Sequence, residues 1–294
     1  MPEPAETAPA TDRFGNASRE RFTWSRRYAA GAGGVRGLLI TMLGDYVRPA
    51  RKPVPTSAFI DAMTRLGVEA TACRQALMRA AADGWIVAER DGRYTWWRLT
   101  PAFADFLHHG AEKIFGFTSV QASWDRRWLV VVARAAETNR AGRHLLRTRL
   151  RWAGFGALAA GVWISTHAER VKEAEVILRE AEVFEESQIL LSEFLAGGDV
   201  ATLVRQAWDL DTMEQEYESF IATYTRQPTA DPIARLTQLV HAWRQFALQN
   251  PALPKEVLPA GWIGTRAASL FQRQHAKWLP DATREWARIS STAR

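Results

Sequence analysis

Hydrophobic and polar positions change period twice along this chain, and the changes mark out its parts. From Val35 to Arg48 the apolar residues Val35, Leu38, Leu39, Met42, Leu43 and Tyr46 recur at helical spacing, and Pro49 is expected to stop that helix. Pro55–Leu66 opens with Pro55 and Thr56, as helices often do, and then spaces Phe59, Ile60 and Met63 along one side. Gly67-Val68-Glu69 is a tight connection into a third helix, whose buried face would carry Ala72, Ala76, Leu77 and Ala80. Asp83-Gly84 ends it, because glycine accepts the left-handed conformation a helix terminus needs. The period then falls to that of strands: Trp85–Arg90 and Tyr94–Leu99 flank Asp91-Gly92-Arg93, a hairpin signal. With the amphipathic helix Pro101–Phe115, the pattern predicts a winged helix-turn-helix over residues 35–116.

A different alternation fills 117–197. Trp128–Ala133 reads as a buried strand, Asn139–Trp152 as a helix, Ala157–Ser165 as a strand, Glu169–Glu182 as a helix and Val183–Leu191 as a third strand. That order predicts a ferredoxin-like α+β layer. From 198 to 294 the pattern is helical: Val200–Asp209, Thr212–Tyr224, Pro232–Gln249 and, after the proline-rich Asn250–Pro259, Trp262–Trp278. Residues 1–34 carry charge without an apolar core and read as a disordered tail, with five arginines between Arg13 and Arg27.

Composition narrows the function classes. The chain has 38 Lys+Arg against 32 Asp+Glu, a net charge of +6, and +4 of it lies in residues 1–120, beside the predicted helix-turn-helix. One cysteine, Cys73, excludes an internal disulfide framework and suits a reducing cytosol. No export signal is read in the first thirty residues, and the longest apolar run, Ala153–Ile164, has twelve residues, too short to span ~30 Å of hydrocarbon. A soluble cytoplasmic protein is expected, with no membrane partner.

The third helix carries the chemistry for reading double-stranded DNA. Thr71, Arg74, Gln75 and Arg79 lie off its apolar face; arginine pairs bidentately with guanine and glutamine with adenine in the major groove. Arg90, Arg93 and Arg98 on the hairpin are placed to meet phosphate, which positions a protein without reading sequence. In the middle unit, Arg143, Arg147 and Arg151 fall at steps of four, flanked by Arg140 and His144. Such a stripe fits an anionic ligand such as phosphate. A solvated face, or a dimer surface meeting the helix of Glu173 and Glu180, accounts for it at least as well.

Enzyme signatures are missing. Gly31-Ala32-Gly33-Gly34 follows a tail rather than a strand, which does not suit a phosphate-binding loop, and the six histidines never fall in ligand-like spacing with cysteine or carboxylate. No catalytic residue, metal site or cofactor is predicted. Two alternatives stay open, a metal-dependent nuclease and a ligand-independent DNA-binding scaffold.

Five segments in order resemble one family. Arg74–Trp85 (RQALMRAAADGW), Trp124-Asp125 before Trp128, Leu150–Ser165 (LRWAGFGALAAGVWIS), Trp208–Phe220 (WDLDTMEQEYESF) and Asn250–Gly264 (NPALPKEVLPAGWIG) are similar to the PaaX-type repressors of phenylacetic-acid catabolism. The resemblance spans Val35 to Trp278. It implies an N-terminal winged helix, a Cas2-like middle domain and a helical C-terminal domain. It also implies a homodimer that represses transcription and leaves its operator on binding an aryl-CoA thioester such as phenylacetyl-CoA. A thioester site needs cations near an aromatic cavity, which assigns it Arg143, Arg147 and Arg151 together with Trp208, Tyr217, Phe220, Trp243 and Trp262. Where relatives often carry an aspartate after the first middle-domain strand, this chain has Ala133-Arg134-Ala135, which argues against residual nuclease activity. The wing, Tyr94-Thr95-Trp96-Trp97, is also richer in tryptophan than the family pattern.

Overall fold

A computed structural model describes residues 34–116, 124–136, 138–226, 229–249 and 251–291; the tail with Arg13 to Arg27 lies outside the described residues. The first helix, α1 (Gly34–Met42), does not stop at Pro49. It continues through a π-helical turn (Leu43–Val47) into a last turn (Arg48–Ala50) and ends where Arg51 turns left-handed at φ 52°. The widened turn already disrupts the regular hydrogen-bond ladder, so the missing N–H of Pro49 is tolerated directly after it. A two-residue strand, β1 (Val54–Pro55), leads into α2 (Thr56–Thr64). Then follow α3 (Ala70–Ala82), the hairpin β2 (Ile86–Asp91) and β3 (Tyr94–Leu99), and α4 (Pro101–Gly116). The sheet order β1-β3-β2 is that of a winged helix.

The middle unit comprises β4 (Arg127–Val132), α5 (Arg140–Trp152), β5 (Gly156–Ala159), β6 (Val162–Ser165), α6 (Val171–Glu180) and β7 (Gln188–Glu193). Its antiparallel sheet runs β5-β6-β4-β7, the ferredoxin-like arrangement. The expected single strand Ala157–Ser165 is instead a hairpin. Gly161, at φ 75°, turns the chain where a Cβ would stand 2.7 Å from the Ala133 carbonyl. The last strand begins later than expected, at Gln188, because Val183 is buried in the core and the backbone turns before pairing with β4.

The C-terminal unit is helical: α7 (Val200–Trp208), α8 (Leu210–Thr225), α9 (Pro232–Gln249) and α10 (Ile263–Ser291). Helix α10 does not end near Trp278 but runs on through Pro280, with Ala282, Trp286 and Ile289 buried beyond it. An interior proline costs about 3 kcal/mol, and burial of Trp286 and Ile289 offsets that cost.

The winged helix and the C-terminal helices share one hydrophobic core, running from Leu39 to Ile289. Trp286 stacks on Tyr46 with ring centroids 4.9 Å apart and meets Phe59 edge-on at 5.7 Å. Arg65 of the α2–α3 turn reaches Asp231 at 3.0 Å and Glu285 at 2.8 Å. Trp243 Nε1 donates to the Ile114 carbonyl and Arg244 Nη2 to that of Gly37, each at 3.0 Å. The middle sheet has separate cores, one beneath α5 and α6, another joining Trp128 and Ile164 to Val204, Leu210, Leu253 and Val257.

Candidate nucleic-acid interface

The surface of α3 follows from its sequence. Cys73, Leu77 and Ala80 are buried at alternating steps of four and three, and this turns Thr71, Arg74, Gln75, Met78 and Arg79 outward as exposed side chains. Burial raises the Cys73 thiol to about 11, so it packs as an apolar group. The helix ends in a Schellman arrangement: Gly84 at φ 74° donates to the Ala81 carbonyl, and Trp85 to that of Ala80. Trp85 is fully buried and stacks on Phe103 at 4.7 Å, while Arg36 lies 4.1 Å over its ring and pairs with Asp83 at 2.7 Å. The end of α3 is thus fixed from both sides. Arg74 and Arg79 form no ion pair among the described residues, which leaves their donors available.

The wing is pinned to the helices by one of its two adjacent tryptophans. Trp97 is buried and its Nε1 donates to Thr56 Oγ1 at 2.8 Å; the same hydroxyl donates to the Thr95 carbonyl. Gly92 turns the tip at φ 59°, and Arg90 and Arg93 are exposed there. Arg93 packs over its neighbour Tyr94 and donates to its hydroxyl at 2.7 Å. Arg98 is differently placed. Glu89 on the neighbouring strand accepts from its Nε at 2.6 Å, and this bond holds the Glu89 carboxyl below the usual carboxylate range. That exposed pair offsets the charge of Arg98, so Arg90 and Arg93 are the stronger candidates for phosphate contact on the wing.

The residues assigned to a thioester do not form one cluster. Arg143, Arg147 and Arg151 are exposed along α5. Tyr217, Phe220 and Trp243 are buried in the shared core, where Phe220 packs 5.4 Å from Trp243, and they fill space rather than line a site. Trp208 and Trp262 remain half-buried. Trp208 Nε1 donates to the Gly154 carbonyl, just past the end of α5, while Trp262 packs edge-on against Tyr217. The basic and acidic helices expected to meet across a dimer lie side by side in one protomer, joined by an Arg149–Glu180 ion pair. Helical periodicity shows which face is buried, not what covers it. Among the described residues, no group of three or more His, Cys, Asp or Glu is placed to hold a metal ion, and no helix is long and apolar enough to cross a membrane.

Comparisons with known proteins match this architecture unit by unit. Residues 35–102 match the family described as PaaX-like protein, 121–204 the PaaX protein central Cas2-like domain, and 208–288 the PaaX-like protein C-terminal domain. Over 261 residues the chain is 26% identical to the transcriptional repressor PaaX of Escherichia coli (strain K12), an alignment covering 83% of this chain and 80% of that protein. The fold is also that of the uncharacterized protein Rv0674 from Mycobacterium tuberculosis, at TM-score 0.60 and 22% identity over 86% of this chain and 97% of that one. With all three parts matched in order, the chain belongs to the PaaX-like family.

Proposed function

We propose that this protein is a homodimeric, sequence-specific transcriptional repressor of an aromatic-acid catabolic operon, released from its operator by an aryl-CoA thioester such as phenylacetyl-CoA. The observation that carries the DNA-binding part is the outward row Thr71, Arg74, Gln75 and Arg79 on a helix whose end is locked by Gly84 and Trp85. Likeness to a transcriptional repressor supports the same reading. A two-fold protein reads an inverted repeat whose half-sites lie about 34–36 Å apart, or a multiple of that. Light scattering is expected to give a dimer at micromolar concentration; a monomer with and without operator contradicts it.

Support for the thioester is the exposed stripe of Arg143, Arg147 and Arg151, with Trp208 against the chain that leaves the same helix. Guanidinium forks match the phosphates of the nucleotide end. Operator release in a gel-shift titration tests this. Phenylacetyl-CoA is expected to release the DNA over a range where free CoA and free phenylacetate leave the complex intact. Changing the three arginines to alanine is expected to raise the thioester needed by about tenfold or more, the loss of a single charge-assisted contact being enough. Equal release by the triple variant removes the stripe from ligand recognition.

A further inference from the structure

Met78 is the one large apolar side chain on the outward surface of α3, and it is 63% exposed. Met42 and Met63, the other methionines of the winged unit, are fully buried. Leu77, its neighbour in sequence, is fully buried as well, so the exposure of Met78 comes from helical spacing and not from a frayed end. The Gly84–Trp85 lock that fixes the end of α3 prevents the helix from rotating Met78 inward. Its companions on that surface are polar: Arg74 and Gln75 lie one turn before it, Arg79 follows it, and Thr71 stands two turns back.

A single exposed methionine elsewhere on a protein surface calls for no account. Here it stands in the middle of the row that meets base edges, and what faces that row is desolvated when the helix enters the major groove. A thioether chain offers no strong donor or acceptor to a base edge. The apolar group that the major groove presents is the C5 methyl of thymine. Helical side chains lean toward the N-terminus, so Met78 covers the turn that carries Arg74 and Gln75. Its unbranched, polarizable chain adapts to a methyl group better than a β-branched residue does. Arg74 and Met78 are four residues apart, about 6 Å along the axis, against ~3.4 Å per base pair.

We propose that Met78 is a specificity-determining residue that reads a thymine in each half-site, packing its thioether chain against the C5 methyl within about two base pairs of the position read by Arg74. This contact rests on α3 being the base-reading helix, as proposed above. Removing one buried methyl group weakens binding about fourfold, and about fifteenfold when both half-sites lose it.

The test is a gel-shift titration of the full chain on the genomic fragment that the wild type selects most tightly, with each thymine replaced in turn by deoxyuridine. That base keeps the Watson–Crick pair and lacks only the methyl group. Wild type is expected to lose about fourfold at one thymine per half-site. Met78→Ala is expected to bind the unmodified fragment more weakly and to be indifferent to deoxyuridine at that thymine. Met78→Leu, which keeps an apolar body, is expected to remain sensitive there. Because Met78 is exposed, the melting temperature of Met78→Ala should stay close to the wild-type value. Wild type that is indifferent to deoxyuridine at every thymine overturns the proposal. So does Met78→Ala that stays as sensitive as wild type, since the methyl contact then belongs to another side chain. Failure of base reading by α3 shows differently, as equal loss by Arg74→Ala on selected and scrambled duplexes. Selective loss by Arg74→Ala without any deoxyuridine effect removes the role of Met78 alone.

Discussion

Replacing Trp286 with alanine is expected to lower stability by about 3–5 kcal/mol, the range for deleting a buried large aromatic. The ring is only 4% exposed and fills the angle between two helices of the winged unit, stacked on Tyr46 and edge-on to Phe59. Alanine leaves a void among residues held on both sides by ion pairs of Arg65, so the site has little freedom to collapse. For a chain of this size the loss amounts to roughly 5–8 °C in melting temperature. Because the contact joins the two ends of the chain, the variant is also expected to weaken DNA binding while leaving every α3 side chain in place. Leu195→Ala, at an 88% exposed position, is the control and should lie within about 0.5 kcal/mol of wild type. A Trp286→Ala melting temperature within 2 °C of wild type contradicts the shared core.

That joint illustrates what the sequence conceals. Trp286 lies beyond Pro280, and a local reading ends the helix near Trp278 because an interior proline normally does so. Only the packing of the helix's final turns against α1 and α2 explains its continuation. The two-residue strand β1 is too short to show a period, and the Ala160-Gly161 turn is hidden inside an unbroken apolar run. By contrast, the helices of the winged unit, the hairpin turn at Gly92 and the middle order of strands and helices were all readable, because periodicity and turn chemistry act locally.

The candidate sites divide along the same line. Outward placement of Thr71, Arg74, Gln75 and Arg79 followed from the spacing of the buried face, which is local information. The pairing of Arg98 with Glu89 depends on cross-strand register, and the burial of Tyr217, Phe220 and Trp243 depends on which helices cover them.

Arg74→Ala carries the second large effect. A bidentate arginine–guanine contact contributes about 1–3 kcal/mol of discrimination against the wrong base, so operator affinity is expected to fall roughly 5- to 150-fold. Binding to unrelated DNA, for which Arg90 and Arg93 are the proposed phosphate contacts, should change far less. Arg74 is exposed, so the melting temperature is expected to stay close to the wild-type value. The deciding measurement is a gel-shift comparison of wild type and Arg74→Ala, at one fixed salt concentration, on two duplexes. One is the genomic fragment that the wild type selects most tightly, and the other is a scrambled duplex of the same length. Loss confined to the selected fragment is the predicted result; equal loss on both duplexes contradicts base reading by α3.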